Sequence, residues 1–270
     1  MQQSNVTMTG KYEHRYTIAA ADMDQWYRLT PHAILLFYQD CFARYMTCHS
    51  LAAFDIVKEQ KMWVITEYEA FRSDTEAFWS EDIFVTMWVS ELTPLRVYCD
   101  FSIRKAETDV AIAWGSSCWN LLSLETKRLE PTTLLFERRL PIVPDMMTDT
   151  HKKKRFPKGE TLVASIEHTV TRLDLDFNGH VNNRSYLNIA MLSTPDAVLA
   201  KQMLRHICIH WLRETYLGDV IRCELCCTDG PATEYVYTLR RADGCEVAQI
   251  YALWQPAAET EDIAKVLIRR

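Results

Sequence analysis

Between Thr171 and Asn183 the chain reads Thr-Arg-Leu-Asp-Leu-Asp-Phe-Asn-Gly-His-Val-Asn-Asn, which sets Asp176, Asn178 and His180 at every second position. A carboxylate, a carboxamide and an imidazole so spaced share one face of an extended segment. Asn182 and Asn183 follow as good helix N-caps for the stretch Arg184 to Met191, so the spacing predicts a strand-to-helix junction. Such a junction adds backbone N–H donors at the helix start, and the whole set could hold and polarise a carbonyl. Taken singly, each residue also has a plain structural reading: Asp176 as a turn-capping carboxylate, Asn178 in an Asx turn, His180 as a core histidine bonded to backbone.

The elements that would position this run occur twice along the chain. An extended Lys11 to Ala21 leads to a polar turn, and Thr30-Pro31 opens a helix with a favourable cap and an N1 proline. Ile34, Phe37, Tyr38, Cys41, Phe42 and Tyr45 recur at helical spacing, an apolar stripe that needs burial. Strand-like runs follow at Trp63 to Phe71, Asp82 to Val89, Arg96 to Arg104 and Val110 to Leu122. In the third run Val97, Cys99, Phe101 and Ile103 alternate with polar neighbours. The second copy runs from an extended Ser165 to Asp176, through a helix from about Asn183, to strands at Arg205 to Arg213, Val220 to Cys227, Glu234 to Arg240 and Cys245 to Trp254. Asp22-Met-Asp24 echoes Asp174-Leu-Asp176, but the first copy continues Gln-Trp-Tyr-Arg and lacks Asn-x-His. Chemistry is therefore expected in the second half. Residues 1–140 and 161–270 are read as two domains, and 141–160, with three prolines and the run Lys152-Lys-Lys-Arg155, as their linker.

Composition narrows the class. At 48% hydrophobic and 24% charged, the 270 residues describe a globular chain with enough core material for one large or two medium domains. A net charge of −6 argues against a general nucleic-acid binder. No apolar stretch is long enough for a membrane span, and the first ten residues lack the pattern of a secretory signal or transit peptide, so a cytoplasmic location is expected. Nine scattered cysteines fit a reducing compartment. Cys223, Cys226 and Cys227 have half-site spacing without a second half-site, so no metal and no organic cofactor is expected.

The full phrase Asp174-Leu-Asp-Phe-Asn-Gly-His-Val-Asn-Asn resembles the signature of the acyl-acyl-carrier-protein thioesterases, a family built from two hotdog folds in one chain. Met62-Trp-Val-Ile-Thr66, Trp79-Ser-Glu-Asp82, Thr86-Met-Trp-Val89 and Lys127-Arg-Leu129 look like family landmarks in the same order, so the likeness spans roughly residues 11 to 255. The family's second signature ends a strand in Arg-Glu-Cys, where this chain has Arg213-Glu214-Thr215. The resemblance implies an α+β chain of two tandem hotdogs, each a long helix wrapped by a curved antiparallel sheet. It implies Glu214 as the general base acting on water, with Asp176, Asn178 and His180 orienting water and carbonyl. Without it, Glu214 would be a solvent-facing strand end. Thr215 in the cysteine position argues against a covalent cysteine mechanism.

The same resemblance implies hydrolysis of acyl thioesters carried on an acyl carrier protein, giving free fatty acid. It points to the first hotdog for the acyl chain, with Ile34, Phe37, Tyr38 and Cys41 as a candidate pocket wall. Arg184 is a candidate for the phosphopantetheine phosphate, and Lys152 to Arg155 for the acidic carrier. An acyl-CoA thioesterase of the same fold, a hotdog dehydratase and a non-catalytic acyl-thioester binding protein are the competing readings. Two hotdogs in one chain form an internal pseudo-dimer, leaving a monomer or a homodimer open.

Overall fold

A computed structural model of the chain describes residues 10–148, 155–228 and 233–257. The order of elements repeats. In the first half β1 (Tyr12–Thr17) leads through a 3-10 turn to α1 (Pro31–Cys48) and the short α2 (Ala53–Ile56). Then come β2 (Lys61–Arg72), β3 (Asp82–Leu92), β4 (Val97–Lys105) and β5 (Ala111–Ser123), closed by β6 (Leu129–Glu130) and α3 (Thr133–Glu137). In the second half β7 (Thr161–Thr169) leads to α4 (Asn183–Ser193) and α5 (Asp196–Lys201), then β8 (Gln202–Trp211), β9 (Val220–Cys227), β10 (Thr233–Arg241) and β11 (Glu246–Pro256).

The strands form one antiparallel sheet in the order β1-β3-β4-β5-β2-β8-β11-β10-β9-β7, with β6 paired to β5. Its centre is the seam between the copies, where β2 and β8 pair from Glu67 opposite His210 to Phe71 opposite His206. Each half wraps its own helix, as the two-hotdog expectation required.

Helix α1 starts where its residues say it should. Thr30 Oγ1 accepts from the Ala33 N–H at 3.1 Å and Pro31 takes the first helical position. All six residues of the apolar stripe are buried, Tyr38, Cys41 and Tyr45 completely. They meet the inward face of β4, where Val97, Cys99, Phe101 and Ile103 have no exposed surface, and Tyr38 stacks on Phe101 at 4.5 Å. Burying side chains of this size is worth about 1.5–3 kcal/mol each relative to exposure.

The opposite face of β4 is not left to solvent. Met147 N–H donates to Asp100 Oδ1 at 2.7 Å, Trp88 Nε1 to the Asp145 carbonyl at 2.6 Å and Val143 N–H to the Val89 carbonyl at 2.8 Å. Residues 141–148 thus lie along the sheet, and Phe156 further on stacks on His210 at 4.3 Å. Lys152, Lys153 and Lys154 lie outside the described residues; Arg155 is exposed.

One expectation about local structure is corrected. The segment from Ser165 to Asp176 does not stay extended: β7 ends at Thr169 and a 3-10 turn occupies Arg172–Asp174. Asp176, Asn178 and His180 sit on a tight loop closed by a bridge between Leu175 and Val181, with Gly179 at φ +79°. Their alternation in sequence is therefore not a strand face. The loop turns because the Asp176 carboxylate captures backbone N–H groups and Gly179 supplies the left-handed residue.

Candidate active site

The loop is held by its own aspartates. Asp176 Oδ1 accepts from the N–H of Asn178 at 2.8 Å and of His180 at 3.2 Å, while the Asp176 N–H donates to the His180 carbonyl at 2.8 Å. Asp174 anchors the stem: its Oδ2 accepts from the Thr171 N–H and Oγ1, each at 2.8 Å, and faces His168 Nε2 at 3.0 Å. Burial alone would raise the Asp174 pKa, but these bonds prevail and hold it below the usual carboxylate range. Asn182 then caps α4, its Oδ1 accepting from the Arg184 N–H at 3.1 Å.

The partner segment leaves the end of β8. The Val181 N–H donates to the Thr215 carbonyl at 3.0 Å, and His180 bridges to Tyr216. This pairing brings Glu214 Oε1 to 3.4 Å from His180 Nδ1. The Tyr216 hydroxyl donates to Glu214 Oε2 at 2.9 Å, which raises the phenol pKa, and its ring meets the imidazole edge-on at 5.2 Å. Both carboxylate oxygens are thereby occupied by named neighbours. Thr215 faces the other way. It is fully buried, with Oγ1 2.7 Å from the Tyr186 hydroxyl, and burial pushes that phenol up to about 12.

Asp176, Asn178, His180 and Glu214 all line one cavity of about 190 Å³. Its remaining walls come from both halves: Met62 to Thr66, Trp119 and Leu122 from the first, Tyr186 and Trp211 to Arg213 from the second. The structure thus brings the four sequence-derived polar residues together, although Asp176 spends its carboxylate on the loop backbone. The arrangement offers a carboxylate able to take a proton, an imidazole and a carboxamide beside it, and the N-terminus of an eleven-residue helix.

The expected pocket wall is not at this cavity. Ile34, Phe37, Tyr38 and Cys41 are buried in the core and do not line it. Trp119 lies in the cavity wall, stacks on Phe42 at 3.9 Å and donates Nε1 to the Tyr38 hydroxyl at 3.0 Å, so the helix stripe is screened by an aromatic layer. Arg184 is not a lining residue either. It approaches His32 on α1, whose pKa is lowered first by burial and then by the Arg184 charge.

Tyr216, Tyr186, Trp63 and Trp119 were not singled out in the sequence as site residues. Tyr216 had a signal, lying two positions beyond Glu214; Trp119 sits inside an apolar strand pattern that gives none. Among the described residues no group of three or more His, Cys, Asp or Glu side chains could hold a metal ion. Cys223 is instead buried 3.5 Å from Ser193 Oγ.

Fold and site together define a double-hotdog chain with a polar cavity walled by both of its halves. The architecture matches that of the 12:0-ACP thioesterase from Umbellularia californica, with a TM-score of 0.82, 18% identity and coverage of 92% of this chain and 98% of that one. It also matches an acyl-ACP thioesterase from Bacteroides thetaiotaomicron, with a TM-score of 0.76, 16% identity and coverage of 91% and 98%. Residues 160–256 match the acyl-ACP thioesterase C-terminal domain. Curated relatives include the chloroplastic palmitoyl-acyl carrier protein thioesterases of Cuphea hookeriana, 27% identical over 75% of this chain and 50% of that protein, and of Arabidopsis thaliana, 24% identical over 76% and 53%. The chain spans about half the length of these relatives. Its second half, residues 160–256, thus carries the likeness to the acyl-ACP thioesterase C-terminal domain, and the fold as a whole is that of the double-hotdog thioesterases it matches.

Proposed function

We propose that this chain hydrolyses acyl thioesters presented by an acyl carrier protein, releasing the free fatty acid and the carrier thiol. The observation that carries the reading is the Glu214 carboxylate held against His180 in a cavity that Asn178 also lines. Glu214 takes a proton from water as the water oxygen attacks the thioester carbonyl. Charge moves to the carbonyl oxygen, which the Asn178 carboxamide and the α4 N-terminus are suited to stabilise. Collapse re-forms the carbonyl, breaks the C–S bond and expels the thiolate, whose pKa near that of cysteine means it scarcely needs a proton to leave. Asp176 serves by holding the loop, and Tyr216 by fixing Glu214. No step calls for a metal or cofactor.

The relatives named as acyl carrier protein thioesterases support an acyl-carrier-protein substrate, and the N-terminal wall of Trp63, Trp119 and Leu122 supplies apolar surface for an acyl tail. Nine free cysteines, five of them buried, fit a reducing compartment, and the cytoplasm is our reading of it. No helix among the described residues is long and apolar enough to cross a membrane. The test is thiol release from a chain-length series of acyl-carrier-protein and acyl-CoA thioesters. Turnover on the carrier thioesters, lost in folded Glu214→Ala and Asn178→Ala, is expected. Faster turnover on CoA would replace the carrier with CoA, and no release from any thioester would end the hydrolase reading.

A further inference from the structure

The first half rebuilds the active-site loop bond for bond. Asp24 Oδ1 accepts from the N–H of Trp26 at 2.8 Å and of Arg28 at 2.9 Å, and the Asp24 N–H donates to the Arg28 carbonyl at 2.8 Å. A bridge joins Met23 to Leu29 as one joins Leu175 to Val181, and Tyr27 takes φ +59° where Gly179 takes +79°. Asp24, Trp26 and Arg28 thus occupy the places of Asp176, Asn178 and His180. The partner segment repeats as well. Phe78 N–H bonds the Glu81 carboxylate as Tyr216 N–H bonds that of Asp219, and Ile18 N–H meets the Glu81 carbonyl as Val170 N–H meets that of Asp219. Two residues back from Phe78 and from Tyr216 stand Glu76 and Glu214.

The catalytic carboxylate therefore has a counterpart, but it is disarmed. Arg72 binds Glu76 Oε2 through a guanidinium nitrogen at 2.9 Å, and Trp26 and Arg28 replace the carboxamide and the imidazole. A cavity persists here all the same, about 240 Å³ in volume and lined from both halves. Most of its surface is apolar, from residues including Leu29, Met191, Leu199, Met203 and Leu204. Set into that wall are Arg28 and Arg72, both more than nine-tenths buried.

The two arginines differ in what they have left to give. Arg28 is used up on Asp24 and on the carbonyls of Leu199 and Gln202. Arg72 donates to the Leu29 carbonyl and to Glu76, while its Nε–H has no partner among the described residues. Burial lowers the Arg72 pKa; among the charges around it Glu76 acts most strongly, with Arg205 and Arg28 adding positive potential and Asp24 opposing them. A buried guanidinium with spare donors favours an anionic, planar acceptor over a neutral one.

We infer that this second, pseudo-symmetric cavity is a non-hydrolytic binding site for a short- or medium-chain monocarboxylate, the carboxylate on Arg72 and the tail against Met191, Met203 and Leu204. It does not depend on turnover at the first cavity, so its test does not use activity. The full chain labelled with [methyl-13C]methionine is titrated with sodium octanoate and, separately, with octan-1-ol. Met191 and Met203 report on this cavity and Met62 on the first. Saturable octanoate shifts at Met191 and Met203 are expected, with octan-1-ol at least ten-fold weaker. They should vanish in Met191→Trp, which fills the cavity, and weaken at least ten-fold in Arg72→Gln. Should Arg72→Gln fail to fold, the alcohol comparison and Met191→Trp decide. Shifts at Met62 alone, equal binding of acid and alcohol, unchanged binding in Met191→Trp, or no binding would each overturn the inference.

Discussion

In the proposed mechanism Glu214 is the general base, and its two neighbours hold it from either side. His180 touches one carboxylate oxygen and Tyr216 the other. Glu214→Gln keeps the shape and removes the base, so kcat should fall by about 10²–10⁴ in a thiol-release assay. Tyr216→Phe removes only a positioning bond; kcat should fall several-fold with KM nearly unchanged, and an unaltered kcat would count against the role. Asp174 gives a pH test of the loop. Its folded pKa is depressed, so its contribution is present above the unfolded value and is lost as pH falls through the folded one. Urea unfolding between pH 7 and 3 should therefore show less acid destabilisation in Asp174→Asn than in wild type, beside an overall loss of about 1 kcal/mol at neutral pH. At this scale the sequence was most informative about polar identity. Asp176, Asn178, His180 and Glu214 converge as spacing and resemblance implied, yet Asp176 proved to hold backbone. Spacing carries residue type and interval but not the Gly179 φ angle that turns a would-be strand into a loop.

At the scale of elements, periodicity fared well where packing follows it. The α1 stripe and the alternation of β4 are buried as read, because one apolar face per element leaves one way to pack. What faces the cavity was less legible: Trp119 belongs to a strand buried on both faces, so alternation could not say which side meets substrate. Trp119→Ala should open the cavity toward Phe42 and Tyr38. The expected outcome is a shift of the hydrolysis profile toward longer acyl chains, with a loss of about 3–5 kcal/mol in denaturant unfolding. An unchanged profile in a folded variant would mean the tail lies elsewhere. Gly115 on β5 sits where a side chain has no room, since a Cβ there would fall 1.9 Å from the Glu69 carbonyl of β2. Gly115→Ala should accordingly separate β2 from β5 and lower Tm markedly, and a wild-type Tm would contradict that crossing.

For the whole molecule, the seam between the copies matters more than either copy. The repeat was legible as a repeat, with Asp22-Met-Asp24 echoing Asp174-Leu-Asp176. That each cavity draws walls from both halves was not, because sequence order does not reveal that β2 and β8 are sheet neighbours. Cross-seam bonds reinforce the pairing: Arg28 reaches the carbonyls of Leu199 and Gln202, and Arg205 that of Ser73. Cutting the chain between residues 148 and 155 should therefore give pieces that lack activity when made separately, since the C-terminal piece keeps Glu214 but loses Met62, Trp63 and Trp119, and β8 becomes a bare edge prone to aggregate. Made together, the pieces can restore the β2–β8 pairing, and thiol release should return. Wild-type hydrolysis by the C-terminal piece alone would show that the first half supplies no wall the reaction needs.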